Sequence, residues 1–195
     1  MPPVLPADAP ARLVTPALMA AVRGQYRLEW AGVHGAAHWG RVLDNALALA
    51  PETGARADVV TLFAVLHDAC RHNDRRDPDH GPRAAVFARA LHAAGTFALD
   101  GPGLDLLAAA CHGHTHDATH ADATVRTCYD ADRLDLGRCG ITPDPLYLCT
   151  PAGRAPERIA WAHARSLAGH APPVVATWDA PGPFSPDVPL RLPAP

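Results

Sequence analysis

The 195-residue sequence has no run of about twenty apolar residues, the length that a helix needs to cross a bilayer. Its first residues, MPPVLPADAPARL, lack the basic start and the apolar stretch of a secretory signal. From these two absences we expect a soluble cytoplasmic protein without a membrane partner.

An excess of basic charge and paired cysteine motifs are also missing. The formal net charge is −3, so we expect no non-specific binding to nucleic acid, and any contact with phosphate must be local. The five cysteines include no CxxC pair, which argues against a disulfide framework and against a zinc ribbon. They are predicted to be small buried apolar residues.

Several enzyme motifs are absent as well. The chain has no GxSxG, no Walker loop and no GxGxxG after a strand. The sequence therefore offers no separate nucleophile.

Helical periodicity dominates what is present. Apolar residues recur three and four positions apart and no βαβ rhythm is seen, which predicts an all-α fold, a single compact bundle of about six to seven helices. The predicted helices lie near 15–28, 36–50, 56–70, 81–95, 103–114, 122–138 and 155–169. We expect an N-terminal extension at 1–14, the helical domain at 15–170 and a proline-rich tail at 171–195. The prolines of the tail argue against helix, and its Trp178, Phe184 and Leu190 indicate that it packs on the body.

The helix at 36–50 carries a histidine on its apolar face. Positions three, four and seven apart share a face of a helix. His38 shares its face with Val42 and Leu49, whereas Arg41 and Asp44 lie off that face. His38 is therefore predicted to point toward the core.

Two further helices bring polar groups inward. In LFAVLHDACRHND, positions 62–74, His67 lies on the apolar face and Asp68 follows it at the helix end, where both side chains can point to one centre. On the helix at 122–138, Asp132 falls in an apolar stripe with Cys128, while Asp130 points the other way and is expected to be solvated. Burying a lone carboxylate costs several kcal/mol, so inward His and Asp groups at one point suggest a divalent cation. Mixed N and O donors suit Mn, Fe, Co, Ni or Zn.

The ordered set His38, His67-Asp68 and Asp132 resembles the H…HD…D signature of the HD-domain superfamily of metal-dependent phosphohydrolases. HWGRVLDNALALA is similar to the first helix of that family, VLHDACR matches its LLHD-x-x-K/R, and DADRLDLGR is similar to its ADRLD helix. The resemblance covers residues 34–140. It implies an HD-type helical bundle with at least one divalent metal ion.

Some members of this superfamily have the longer pattern H…HD…H…H…D and a second metal ion. Here His80 opens one helix, and AACHGHTH at the end of another contains His112, His114 and His116. His114 lines up best with the family's His-Thr step, and His112 stays an alternative. The resemblance thus implies a binuclear centre, with His80 and His114 on the second ion and Asp68 bridging.

Arginines near the HD pair are candidates for binding substrate. Arg71 follows the pair by three residues, close enough to reach a phosphate on the metal, and guanidinium matches phosphate oxygens bidentately. Asp68 and Arg71 are the predicted catalytic residues. His34, one turn before His38, either touches substrate or caps its helix. The predicted substrate-binding residues are Arg71, Arg83, His34, Arg41 and Arg133.

The resemblance implies a small phosphohydrolase that acts on a nucleotide or a related phosphate ester or anhydride through a metal-activated water. The chain lacks the GYP motif of cyclic-di-GMP phosphodiesterases and is too short for the multidomain alarmone enzymes. Two alternatives remain, an HD-type diiron oxygenase and a non-catalytic nucleotide-sensing metal-binding domain. The sequence does not decide whether the protein is a homodimer, because the tail can be either a dimer strap or a lid.

Overall fold

A computed structural model describes residues 12–178, and within this range the secondary structure is entirely helical, as predicted. The helices of ten or more residues are α1 (Pro16–Gln25), α2 (Ala36–Thr53), α3 (Ala57–Leu66), α4 (His80–Ala93), α5 (Gly101–Gly113), α6 (Ala123–Arg133) and α8 (Pro156–Leu167). Two four-residue helices are α7 (Pro151–Arg154) and α9 (Val175–Trp178), and two 3-10 helices span Leu136–Cys139 and Pro145–Tyr147. The prediction of six to seven main helices is confirmed for this part of the chain.

Helix α3 lies at the centre of the bundle. Every residue from Val59 to Leu66 is buried, as expected of a helix that is apolar on all sides. It packs against α2, α5 and α6, and α4 packs on α5. One large hydrophobic core therefore joins most of the helices.

Helix ends position the polar residues that the sequence singled out. Helix α3 ends at Leu66, earlier than predicted, and His67 and Asp68 lie in the turn that follows. His80 is the first residue of α4, and His114 caps the C-terminal end of α5. Because side chains at helix ends need not stay on one face, the chain can turn several of them toward one point.

The predicted helix at 122–138 is divided. Helix α6 ends at Arg133 and a 3-10 helix follows, so the face that holds Cys128 does not continue to Cys139. The prediction that all five cysteines are buried is wrong for Cys139, which is exposed. Cys70, Cys111 and Cys128 are buried as predicted, Cys149 is half-buried, and all five are unpaired.

The beginning of the proline-rich tail packs on α2. A Cβ atom added to Gly40 would lie 2.6 Å from Val175 Cγ2 and 3.0 Å from Pro172 Cδ. Trp178 is 4% exposed, which confirms its predicted packing. The prediction that the tail forms no helix is wrong for α9, which lies in a stretch free of proline. Phe184 and Leu190 lie outside the described residues.

None of the helices between residues 12 and 178 is both long enough and apolar enough to cross a bilayer.

Candidate metal centre

Four of the predicted ligands converge in what we call the first set: His38, His67, Asp68 and Asp132. The Nε2 atoms of His38 and His67 are 3.1 Å apart. Asp68 Oδ2 lies 3.6 and 3.7 Å from these two nitrogens, and Asp132 Oδ1 lies 3.5 and 3.9 Å from them. Ligands bound to one ion at about 2.0–2.1 Å lie roughly 3 Å from each other. The first set could therefore hold a metal ion.

A second set, formed by Asp68, His80 and His114, adjoins the first. The Nε2 atoms of His80 and His114 are 2.9 Å apart. Asp68 Oδ1 lies 3.1 Å from His80 Nε2 and 3.7 Å from His114 Nε2. Asp68 thus presents one carboxylate oxygen to each set. His67, His114 and Asp132 also form a group of potential ligands, so the two sets are contiguous.

Hydrogen bonds fix the orientation of the four imidazoles. Each Nδ1 lies within hydrogen-bond distance of an oxygen: Asp135 Oδ2 for His38, the Phe63 carbonyl for His67, the Asp77 carbonyl for His80 and the Cys111 carbonyl for His114. An Nδ1–H that donates to such an oxygen leaves the lone pair on Nε2, the usual arrangement of a metal-binding histidine. Two lone pairs that face each other at 2.9–3.1 Å cannot form a hydrogen bond. A cation between them satisfies both.

The pKa shifts agree with a site for a cation. Burial lowers the pKa of His67 to about 3, so its ring is neutral at neutral pH. Burial opposes the charge of Asp68, but the surrounding histidines hold its pKa below the usual range. Burial likewise opposes the charge of Asp132, and Arg138 together with the histidines lowers its pKa. Burial also disfavours a charged His114, yet Asp68 and Asp132 raise its pKa, because two carboxylates favour positive charge at this point.

Two arginines contact the candidate ligands. Arg71 Nη1 lies 3.3 Å from Asp68 Oδ1 and 3.2 Å from His80 Nε2. Arg138 Nη2 lies 3.3 Å from Asp132 Oδ1, and its side chain is 8% exposed. Each of the two ligand carboxylates therefore already has a guanidinium partner.

A third carboxylate, Asp135, supports the centre from behind. Its Oδ2 accepts a 2.7 Å hydrogen bond from His38 Nδ1. Arg41 donates to it through Nε at 2.7 Å and Nη2 at 3.0 Å, and through Nη1 to the carbonyl of His170. The expectation that Arg41 lies off the buried face is wrong, because Asp135 and the chain at 170 cover it and leave it 4% exposed.

Sequence reasoning missed Asp135 and Arg138. Both occur in DADRLDLGR, three and six residues after Asp132. They lie beyond the end of α6, where helical periodicity no longer indicates direction.

The other predicted substrate-binding residues are distributed around the centre. His34 is 6% exposed, lines the cavity described below, and places its Nδ1 2.9 Å from Asp74 Oδ1. Arg133 also lines that cavity. Arg83 donates instead to the carbonyl of Cys70 and to Asp77.

The alternative ligand His112 is exposed, whereas His114 is 4% exposed and carries the contacts given above. The structure therefore brings His114, and not His112, to the second set.

Asp130 was expected to be solvated and is instead fully buried. It accepts hydrogen bonds from the backbone N–H of Cys149 at 2.6 Å and from the N–H and hydroxyl of Thr150 at 2.9 and 2.6 Å. Burial raises the pKa of Asp130, and these hydrogen bonds partly offset the effect. Residues 148–150, which pack over that side of α6, are the reason for its burial.

A cavity of about 400 Å³ adjoins the two sets. Asp68, His114 and Asp132 lie along its inner side, together with Arg71 and Arg138. The chain from Leu136 to Leu148 supplies much of the remaining lining. A small molecule in the cavity can reach both candidate sets.

We predict that Asp135→Asn weakens metal binding by the first set about 10- to 100-fold, the usual effect of losing a partner of a ligating histidine. The amide keeps the shape of the side chain but loses the charge that orients His38 and pairs with Arg41. Titration calorimetry with Mn²⁺ or Zn²⁺ measures the change. Binding by the second set should change little, so equal weakening of every binding step would contradict this role.

No family model, curated protein or solved structure matches this chain.

Proposed function

We propose that this protein is a metal-dependent phosphohydrolase with an HD-type binuclear centre, which acts on a nucleotide or a related phosphate ester or anhydride. One observation carries the proposal. Asp68 offers an oxygen to each of two adjacent His/Asp sets, at the inner side of a cavity that Arg71 also lines.

The donor set fits divalent first-row ions such as Mn, Fe, Co, Ni or Zn. His38, His67 and Asp68 would hold the first ion, with Asp132 beside the two histidines as its fourth ligand. Asp68, His80 and His114 would hold the second. Bound ions of this kind lower the pKa of water to near neutrality and polarise a phosphoryl oxygen.

Arg71 binds and orients the phosphoryl group in this proposal. Its Nη1 contacts Asp68 Oδ1 and His80 Nε2, two of the atoms that would hold the second ion. If these atoms held a metal ion, Nη1 would be free to donate to a phosphate oxygen in the adjoining cavity, while Nη2 keeps its hydrogen bond to the carbonyl of Arg75. Arg138, beside Asp132, stabilises negative charge that develops near the first set.

The charge balance favours an anionic substrate over dioxygen. The three carboxylates Asp68, Asp132 and Asp135 already face Arg71, Arg138 and Arg41. Each divalent ion therefore adds net positive charge to the centre. This charge attracts an anionic phosphate group but does not attract neutral O₂. This is the reason to prefer hydrolysis to the diiron oxygenase that the same ligand pattern would serve.

The test combines metal analysis with a substrate panel. Protein purified without chelators should contain two first-row ions per chain and, reloaded with Mn, Co, Fe, Ni or Zn, should release phosphate from nucleotides or other phosphate esters. Arg71→Ala should lower kcat/KM about 100-fold, the typical cost of losing one stabilising donor.

Arg89→Ala is the matched control, because Arg89 is half exposed and pairs with Asp105 on the surface. If the protein held two tightly bound irons with an electron paramagnetic signal and released no phosphate, the diiron oxygenase would be the better assignment. If the protein bound nucleotides but did not hydrolyse them with any of these metals, the nucleotide-sensing domain would be the better assignment.

A further inference from the structure

The outer side of the cavity is a wall of apolar and aromatic residues on the segment 141–148. Ile141, Pro143, Tyr147 and Leu148 all line the cavity. Ile141 is 52% exposed and Tyr147 is 73% exposed. Solvent-exposed apolar side chains beside a polar centre are typical of the part of a pocket that binds the apolar portion of a ligand.

Hydrogen bonds hold this wall in place. Asp144 accepts a 2.8 Å hydrogen bond from the N–H of Leu146 and so caps the 3-10 helix Pro145–Tyr147. Arg133 Nη1 donates to the carbonyl of Tyr147 at 2.9 Å, and Leu148 is 2% exposed. The wall is therefore preformed, which lowers the cost of ordering it around a ligand.

The wall has no net positive charge to attract additional phosphate groups. Asp144 is the charged residue of the segment 141–148, and it lines the cavity. Arg133, the nearby cation, already donates Nη1 to the carbonyls of Ala118 and Tyr147 and Nη2 to the carbonyl of Asp117. Arg71 and Arg138 are paired with the ligand carboxylates Asp68 and Asp132.

We propose that the substrate is a phosphomonoester whose leaving group has an aromatic or apolar body that packs on Ile141 and Tyr147. This inference rests on the proposed function. Water supplies the oxygen of the new bond to phosphorus, and the bond from phosphorus to the ester oxygen breaks. The leaving group then departs as an alcohol that carries one proton of the water. A cavity of about 400 Å³ has room for such a body beside one phosphoryl group.

Binding of two phosphonates, which are not hydrolysed, tests the wall directly. On metal-loaded protein, titration calorimetry should show that phenylphosphonate binds more tightly than methylphosphonate. Tyr147→Ala should reduce this preference about three- to tenfold, because that factor corresponds to the free energy of one aromatic contact. Leu146→Ala is the matched control, because Leu146 is 84% exposed in the same 3-10 helix and does not line the cavity. It should leave the preference unchanged.

Hydrolysis of adenosine mono- and triphosphate tests the charge of the wall. The monophosphate should be the better substrate by kcat/KM, and Asp144→Asn, which keeps an oxygen to cap Leu146, should raise the triphosphate-to-monophosphate ratio severalfold.

Equal affinity of the two phosphonates, or a preference that survives in Tyr147→Ala, would overturn the inference. So would faster hydrolysis of the triphosphate. In these cases phosphate release would leave the proposed function standing, whereas the absence of release from any ester with any metal would remove that function itself.

Discussion

Replacing Asp68 with asparagine is expected to release both metal ions and to abolish turnover. Asp68 is 1% exposed, and its two oxygens face different ligand sets, so one substitution removes a charged ligand from each. Loss of a residue that hydrogen-bonds to a metal ligand already weakens metal binding about 10- to 100-fold. Loss of a ligand that both ions share should weaken metal binding more than this. Elemental analysis of purified protein and a phosphate-release assay measure the result, with circular dichroism as the check on folding.

Two variants make this result specific. His80→Ala removes a ligand of the second set only, so it should lower the metal content by one ion and leave the first set loaded. Asp105→Asn changes a surface carboxylate whose side chain is 71% exposed, and it should change neither metal content nor activity. Metal content that is the same in Asp68→Asn as in the unaltered protein would refute the assignment of the bridging ligand.

Removal of the metal with a chelator is expected to lower Tm by about 8–16 °C. Only the folded chain brings the starts of α2 and α4 and the ends of α3, α5 and α6 to one point, so an ion held there would bind the native state and not the unfolded one. Free metal at about 1,000 times Kd stabilises the folded state by roughly 4 kcal/mol. Each kcal/mol shifts Tm by about 2–4 °C for a chain of this size.

Differential scanning calorimetry with and without chelator measures this shift. Asp68→Asn serves as the control, because a chain that holds no metal should melt at the same temperature in both conditions. If the chelator does not change the Tm of the unaltered protein either, the converging imidazoles do not hold a metal ion.

Helical periodicity was sufficient for the elements and for several inward side chains. The seven main helices of the described residues correspond to the predicted ones, and His38 and His67 are fully buried, as their apolar faces indicated. Asp132 has a side chain that is 14% exposed, as expected for a carboxylate in an apolar stripe. A regular helix relates these positions to their own axis, so the direction of each side chain can be predicted locally.

The same argument failed where the helix ended or another segment covered it. Asp130 and Arg41 seemed to face solvent, but residues 148–150 and the chain around His170 bury them. Cys139 lies past the end of α6, where the 3-10 geometry turns it outward.

The sequence by itself determined the all-α class, the main helices and the inward direction of His38, His67 and Asp132, because these depend on spacing along one chain segment. Only the tertiary structure decided that Asp68 faces two sets of ligands, that Asp135 orients His38, and that Arg138 pairs with Asp132. Such pairings join residues up to 97 positions apart. They depend on how helices dock against one another, which the periodicity of a single helix does not contain.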